Sequence, residues 1–137
     1  MNIRHITLTL GTAVPITAAD VSVTGINQAS YGPVTVSGSG MTWTITLSQP
    51  IAAADRVTLT VGNSGIATFV RRLDVLPGDI NDDEVVNSQD LTLEAAALRG
   101  QVIVPLTFAD IDGDSSSSIA DYNLIRARLS SKLPPIV

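Results

Sequence analysis

Cysteine is absent from this chain of 137 residues, and histidine occurs only once, as His5. Without cysteine, the chain can form neither a disulfide framework nor a thiolate metal site. A zinc site built from several imidazoles is excluded too, because one histidine cannot supply them. Any metal ion that the chain binds must therefore be held chiefly by oxygen ligands.

Catalytic groups are scarce for the same reason. A nucleophile–base pair cannot be assembled from one histidine and no cysteine, so we expect that the protein is not an enzyme. A carbohydrate-binding module is disfavoured because aromatic residues make up only 4% of the chain. Trp43 alternates in phase with Ile45 and Leu47, which indicates a core position and not an exposed sugar platform.

Long apolar runs are also missing, and none approaches the roughly 20 residues that a membrane-spanning helix needs. Residues 1–19 allow two interpretations. A mildly basic start and an apolar stretch resemble a signal peptide, whereas the strict alternation of residues 6–10 favours a strand. If this segment is a strand, a secretion signal would have to lie outside this chain.

Basic residues are few in the second half of the chain. Residues 1–75 contain four arginines and three aspartates, whereas residues 76–137 contain three arginines and one lysine against ten acidic residues. An acidic cluster of this kind repels phosphate and argues against a nucleic-acid partner. It suits hard cations, which prefer oxygen ligands.

The first part of the chain is dominated by apolar residues that alternate with threonine or serine. This period of two is typical of half-buried strands, and turn residues separate the segments at intervals of roughly ten residues. The pattern predicts an antiparallel, Ig-like β-sandwich over residues 1–76. Six strands are expected, around residues 6–10, 21–23, 34–36, 43–47, 57–61 and 66–73.

After Pro77 the apolar residues change to the spacing of a helix. We expect helices over residues 88–99 and 119–131, the first ended by Gly100 and the second by a pair of prolines. A short acidic segment precedes each helix. The chain is therefore predicted to contain a second, small α-helical domain over residues 77–137.

The acidic segments form an internal repeat, because Asp79-Ile80-Asn81-Asp82-Asp83 matches Asp110-Ile111-Asp112-Gly113-Asp114 farther along the chain. An EF-hand-type calcium loop presents oxygens from its first, third, fifth, seventh, ninth and twelfth positions. Both segments fit at every position, so we predict two bound calcium ions. The predicted ligands are Asp79, Asn81, Asp83, the carbonyl of Val85, Asn87 and Asp90 in the first loop, and Asp110, Asp112, Asp114, the carbonyl of Ser116, Ser118 and Asp121 in the second.

Position six of such a loop normally holds glycine, because the backbone there has a positive φ. Glu84 and Ser115 occupy this position here. The left-handed conformation costs a residue other than glycine about 1–2 kcal/mol. We still expect millimolar extracellular calcium to occupy both sites. The alternative is a pair of acidic turns that only cap helices, which two loops in the same register disfavour.

Two loop–helix repeats with aspartate at the twelfth position resemble the dockerin module. The stretch Asn87-Ser88-Gln89-Asp90-Leu91 is similar to the Asn-Ser-x-Asp-Leu segment of dockerin repeats. Ile119-Ala120-Asp121-Tyr122-Asn123-Leu124 is a looser match, and the resemblance covers residues 79–130. With a β-sandwich before it, the chain looks like the X-module–dockerin pairs of cellulosomes. It also looks like the Ig-like-plus-dockerin tails of large bacterial surface proteins.

The resemblance implies a cohesin-like protein partner. Dockerin recognition residues lie at loop positions ten and eleven and farther along each helix. Carried onto this chain, they are Ser88, Gln89, Ala96 and Ala97 in the first repeat and Ile119, Ala120, Ala127 and Arg128 in the second. The two sets differ in size and charge, which disfavours a symmetric dual mode of binding.

Two functions remain open at this point. The module docks a cohesin-like partner, or calcium only rigidifies a structural piece of a bacterial surface protein or filament. In the second case its contacts are neighbouring domains of a larger assembly. Both functions place the chain outside the cell or at the cell surface, and neither involves nucleic acid or a membrane span.

Overall fold

The computed structural model of the chain describes residues 2–63 and 65–136. Met1, Ser64 and Val137, which fall within the two predicted domains, lie outside the described residues. The chain divides into two compact units. One comprises Ile3–Ile51 and Asp55–Asp74, and the other comprises, among the described residues, Asn2, Ala52–Ala54 and residues 75–136.

The first unit is built from strands that form two antiparallel sheets. One sheet has the order β1-β4-β3 and the other has the order β2-β5-β6. All six predicted strands are confirmed within the part of the chain that the structure describes. Their bounds are β1 Ile3–Thr9, β2 Val21–Gly25, β3 Val34–Ser39, β4 Thr42–Ile51, β5 Asp55–Asn63 and β6 Ile66–Val75.

Alternation along the central strands decides which side chains are buried. In β4 the side chains of Ile45 and Leu47 are buried, and in β5 those of Val57, Leu59 and Val61 are buried. The threonines between them point the other way, because successive side chains of a strand leave on opposite faces. Each sheet thus buries one apolar face, as the layers of a β-sandwich do.

The turn between β2 and β3 is held by one buried carboxylate. Asp55 accepts hydrogen bonds from the backbone N–H groups of Ile26 and Asn27, each at 2.9 Å, and of Gln28 at 3.2 Å. The hydroxyl of Tyr31 donates a fourth hydrogen bond at 2.6 Å. Burial raises the pKa of Asp55, but these donors outweigh it and lower the pKa overall. This buried charge is therefore satisfied by protein donors.

The second unit contains α1 Ser88–Leu98, α2 Leu106–Ala109 and α3 Ile119–Ala127. Gly100 ends α1 as predicted. With a φ of 69°, its backbone turns so that two N–H groups donate hydrogen bonds to the last helical turn. The N–H of Gly100 donates to Ala97 O at 2.8 Å, and the N–H of the next residue donates to Ala96 O at 2.9 Å. None of the helices described is long and apolar enough to cross a membrane.

The prediction that the last helix extends to residue 131 is wrong. The helix ends at Ala127, and Ser130 has a φ of 72°, which turns the chain back. The N–H of Ser130 then donates to Val86 O at 2.9 Å, and Ser131 O accepts from Val86 N at 2.8 Å. The long-range backbone pairing with the first acidic loop therefore ends the helix before the prolines are reached.

The core of the second unit lies between the acidic loops and the helices. Ile80, Val86, Ile111 and Ile125 are buried together, with Leu91, Leu93 and Leu124 among the partly buried residues around them. The isoleucine that follows the first aspartate of each loop is buried in this core. The acidic loops are therefore anchored by apolar residues within the loops themselves.

Candidate metal centre

The first acidic loop wraps around the carboxylates at its start. Asp79 accepts hydrogen bonds from the backbone N–H groups of Asp83 at 3.1 Å and Glu84 at 2.9 Å. Asp83 in turn accepts from Val85 N at 3.0 Å. One carboxylate oxygen from each of Asp79, Asp83 and Asp90 lies within 4.8 Å of the others. Three predicted ligands of the first ion are therefore brought together.

The second loop repeats this arrangement. Asp110 accepts hydrogen bonds from Asp114 N at 3.1 Å and Ser115 N at 2.9 Å, and Asp114 accepts from Ser116 N at 2.8 Å. Oxygens of Asp110, Asp112 and Asp114 lie within 4.8 Å of one another. Asp121, the predicted twelfth-position ligand, is not part of this group of three.

The twelfth-position aspartates bind the start of each loop to the start of its helix. Asp90 accepts from Ile80 N at 2.7 Å through Oδ1 and from Asn87 N at 2.8 Å through Oδ2. Asp121 accepts from Ile111 N at 2.7 Å and from the backbone N–H of Ser118 at 2.9 Å. Each aspartate is thus the third helical residue of a capping box. Both side chains are fully buried.

The expected backbone conformation at position six is confirmed in both loops. Glu84 has a φ of 69° and Ser115 has a φ of 71°. The two loops therefore accept the left-handed conformation without glycine, at the cost of about 1–2 kcal/mol per residue. Such a local cost persists when the surrounding contacts over-determine the turn, as the hydrogen bonds of Asp79 and Asp110 do here.

The asparagine and serine side chains that were predicted as ligands form different hydrogen bonds in the two loops. Asn81 accepts from Asp83 N at 3.2 Å through Oδ1, while its amide nitrogen donates to Asp83 Oδ2 at 2.9 Å. Asn87 donates to Asp83 at 3.2 Å and to the carbonyl of Val85 at 3.4 Å. In the second loop, Ser118 Oγ donates to Asp121 at 2.9 Å. A cation in the first loop would require the asparagine amides to present oxygen in place of nitrogen.

Burial and mutual repulsion disfavour the charged state of one carboxylate in the first loop, that of Asp79. Burial raises the pKa of Asp79, and the nearby carboxylates of Asp90 and Asp83 add to the increase. In the second loop, burial also raises the pKa of Asp121, but hydrogen bonds from backbone and side-chain donors lower it overall. The ion pairs of Arg56 and Arg72 go to Asp74, which lies outside both acidic loops.

The donor set fits a hard cation. Carboxylate, amide and carbonyl oxygens are the ligands that calcium prefers, and the predicted ligand set includes no sulfur or imidazole that would select a softer metal. Buried charges in proteins are paired or coordinate metals. Among the described residues, fully buried Asp90 and Asp121 have backbone partners but no cationic partner, so a bound cation would compensate these charges.

Glu94 is a buried charged residue that the sequence interpretation missed. It lies on α1 and is fully buried, with Oε1 accepting from Ser117 Oγ at 2.6 Å and Oε2 without a partner. Burial raises its pKa, and the charge of Asp121 adds to the increase. Its position four residues after Asp90 places both on one face of the helix, and this spacing is the signal that could have identified it.

We expect Glu94→Gln to stabilise the protein at neutral pH by about 1 kcal/mol, because it removes a buried charge with an unpaired oxygen. Because the pKa of Glu94 is raised in the folded protein, the contribution of this residue to stability is fully present below the ordinary glutamate pKa of 4.5. That contribution is lost as the pH rises through the higher pKa of the folded state. Chemical unfolding in saturating calcium should therefore give equal stabilities at pH 4 and a gap that opens toward pH 7.

Glu84→Gln is the matched control for this experiment, because Glu84 is the other glutamate of the chain and is exposed. It should show no comparable gap in stability between acidic and neutral pH. A gap for Glu94→Gln that is constant across the pH range would contradict a charge-dependent origin.

Comparison with known families gives a match over the part of the chain that contains both loops. Residues 77–130 match the family model of the dockerin type I domain. The match covers both acidic loops and all three helices, and it supports a dockerin domain in this part of the chain, as the motifs predicted. A dockerin domain implies calcium binding and calcium-dependent docking to a protein partner, usually a cohesin. No curated protein and no solved structure matched the chain.

Proposed function

We propose that residues 77–130 bind two calcium ions and dock a cohesin-like protein domain outside the cell. The observation that carries the proposal is the duplication of one loop geometry, which begins at Asp79 and again at Asp110, with a buried twelfth-position aspartate in each copy. Dockerin domains typically occur in secreted or cell-surface proteins, which supports the extracellular setting. We also propose that the chain is not an enzyme, because one histidine and no cysteine are available.

The two ions would be held by the two loops. The carboxylates of Asp79, Asp83 and Asp90 would supply most of the charge in the first loop, and those of Asp110, Asp112 and Asp114 would do so in the second. Calcium would supply positive charge that offsets the repulsion between the carboxylates. Because Asp90 and Asp121 lie in the first turns of α1 and α3, the bound ions would also hold these two helices in place. The protein would contribute the hydrogen bonds that shape each loop around its ion.

The partner-binding surface proposed for this domain starts at the beginning of each helix. Ser88 and Gln89 on α1 and Ile119 and Ala120 on α3 are all exposed, as is Ala127 at the end of α3. The side chain of Ile119 is 66% exposed, although a large apolar residue is costly to leave in water. An exposed isoleucine beside a calcium loop fits a surface that a protein partner covers.

The two helices offer this partner unlike surfaces. Alignment of the two acidic loops pairs Ser88 with Ile119 and Ala97 with Arg128. A partner pocket that accepts a serine and an alanine would meet a branched apolar group and a guanidinium on the other helix. The guanidinium of Arg128 also donates to Leu124 O at 3.2 Å, which holds it near the helix. We therefore propose that the cohesin-like partner binds in one orientation, with one helix making most of the contact.

Ala96→Glu tests the recognition role. Ala96 is half-buried on α1, and we expect the variant to lose capture by immobilised cohesin domains by about 30-fold or more. Disruption at the centre of an interface typically costs about 2 kcal/mol or more. Calcium affinity from titration calorimetry and the Tm should change little. Ala13→Glu, at an exposed alanine outside residues 77–130, is the matched control and should leave capture unchanged.

A purely structural calcium module is the second candidate function. The observation that favours it is that Ala95, Ala96 and Ala97 are each partly covered within the chain itself. If these alanines serve packing alone, Ala96→Glu should destabilise the fold by several kcal/mol, as an unpaired buried charge does. Calcium-dependent cohesin capture by the wild type, with a small Tm change in the variant, would exclude this candidate.

We further propose that the first unit is Ig-like. An immunoglobulin constant-type sandwich orders its strands A-B-E-D in one sheet and C-F-G in the other. When β1 to β6 are lettered B to G in chain order, the two sheets read B-E-D and C-F-G. This agreement in strand order supports an Ig-like topology in which the position of strand A, beside β1, is not filled by β2 to β6.

A further inference from the structure

The two acidic loops make equivalent contacts with the helices, but the side chains at these contacts differ. Alignment of the loops pairs Val86 with Ser117 at position eight. The same alignment pairs Glu94 on α1 with Ile125 on α3. Val86 and Ile125 are both fully buried in the same apolar core, whereas Ser117 donates a hydrogen bond to Glu94 at 2.6 Å. One contact between the repeats is therefore apolar, and its equivalent is polar and carries a carboxylate.

Glu94 is held in this polar contact with one carboxylate oxygen unpaired. Its side chain is fully buried, Oε1 accepts from Ser117, and Oε2 has no hydrogen-bond partner among the described residues. A buried carboxylate is costly unless a cation or several donors compensate its charge. The donor that Glu94 has in the described part of the chain is a neutral hydroxyl, so most of this charge is left without compensation from the protein.

The second loop brings groups of the proposed metal centre close to Glu94. Ser117 lies between Ser116 and Ser118, which are predicted to bind the ion through a carbonyl and a hydroxyl oxygen. The carboxylate of Asp121 is also near enough for its charge to act on Glu94. Glu94 therefore places a negative charge beside the second loop, although it belongs to the helix of the first repeat.

We propose that Glu94 is a positioning residue that completes the second calcium site from α1, and that the ion in the second loop compensates its buried charge. This inference rests on the proposed binding of calcium by that loop. Attraction between Glu94 and the ion holds α1 against the second repeat. Because α1 also carries Asp90, the predicted twelfth-position ligand of the first loop, the two ions are coupled through one helix.

The apolar contact supplies the variant that separates charge from packing. Val86 and Ile125 are an uncharged pair that is fully buried at the equivalent positions. Glu94→Ile combined with Ser117→Val copies this pair, so it removes the charge and the hydrogen bond together. Glu94→Gln removes the charge and keeps the shape of the side chain. An effect of charge must appear in both variants, whereas an effect of packing differs between them.

Chemical unfolding of the full chain over a series of calcium concentrations measures the coupling, because an ion bound by the folded state adds stability that grows with its concentration. Wild type should gain more stability from calcium than Glu94→Gln does, by the equivalent of about a tenfold difference in affinity for the second ion, since one buried charge no longer attracts it. The advantage of Glu94→Gln should therefore be largest in chelator and smaller in saturating calcium. The double variant should gain as little from calcium as Glu94→Gln does.

Two ligand substitutions assign the effect to one loop. Asp83 and Asp114 occupy position five of their loops, are both exposed, and each accepts from the backbone N–H two residues later. In an Asp114→Ala background the second loop binds weakly, so Glu94→Gln should no longer change the stability gained from calcium. In an Asp83→Ala background the effect of Glu94→Gln should persist.

Three outcomes would overturn this proposal and leave the proposed function intact. The first is an advantage of Glu94→Gln that is the same at every calcium concentration, as a purely structural role requires. The second is a double variant that gains as much from calcium as wild type does. The third is an effect that disappears with Asp83→Ala and survives Asp114→Ala, since the first ion would then be responsible. A wild type whose stability does not respond to calcium would instead overturn the proposed function, and this inference with it.

Discussion

Removal of calcium should unfold most of the helical part of this protein. Without a cation, the carboxylates of residues 79–121 repel one another, and Asp90 and Asp121 remain buried with hydrogen-bond donors but no cationic partner among the described residues. Ligand present at 100 times its Kd stabilises by about 2.7 kcal/mol per site. Two sites should therefore contribute about 5 kcal/mol, which corresponds to a fall in Tm of roughly 20 °C or more for a unit of this size.

Differential scanning calorimetry with calcium or with a chelator measures this effect. Hydrogen exchange locates it, and we expect amides of α1 and α3 to lose protection in chelator far more than amides of β4 and β5. Titration calorimetry on the calcium-free protein should show two binding events. An unchanged melting curve together with the absence of binding heat would refute the calcium-dependent role of the loops.

Loss of either twelfth-position aspartate should be the most damaging single substitution. Asp90→Ala removes a predicted ligand and leaves the N–H groups of Ile80 and Asn87 without their acceptor. Each buried group left unpaired costs about 1–3 kcal/mol, so we expect a loss of more than about 3 kcal/mol in unfolding free energy. Calcium binding to the first loop should weaken by at least 100-fold, while the second loop should change much less.

The reverse pattern is expected for Asp121→Ala, which should mainly affect the second loop. Asp20→Ala is a close control, because Asp20 caps Thr17 through the same carboxylate-to-backbone bond, at 2.7 Å, outside the acidic loops. It should reduce stability without changing calcium affinity. If either loop substitution weakened both binding events equally, the two loops would share a single metal ion and the two-ion prediction would be wrong.

The contribution of ligation can be separated from that of capping with Asp90→Asn. The asparagine retains one oxygen that can accept from Ile80 N, but it has lost the negative charge. We expect this variant to keep more of the stability measured in chelator than Asp90→Ala does, yet to bind calcium nearly as weakly. Stability and affinity should thus respond differently to the two substitutions.

Local sequence patterns were sufficient for the strands and the acidic loops. A period of two predicted all six strands, because alternate burial is a property of consecutive residues. The spacing of aspartates predicted the duplicated loops, and the left-handed backbone at Glu84 and Ser115 followed from their loop position alone. The resemblance to a dockerin rested on the same local spacing.

Contacts between distant residues decided the remaining features. The end of α3 at Ala127 depends on backbone bonds from Ser130 and Ser131 to Val86, which belongs to the first acidic loop. The burial of Glu94 depends on Ser117, which belongs to the other repeat. Val86 lies outside α3 and Ser117 lies outside α1, so the sequence of each helix alone does not reveal these contacts.

The position of β1 at the edge of its sheet, among the described strands, is likewise a property of the tertiary structure. The sequence predicts that residues 6–10 form a strand, but the alternation is the same for an edge strand and a central strand with one buried face. In the order β1-β4-β3, the place of β1 results from hydrogen bonds to a strand that is far away along the chain, such as the pairing of Ile6 with Ile45. Sequence periodicity records which face of a strand is buried, whereas its neighbours are fixed only when the whole sheet assembles.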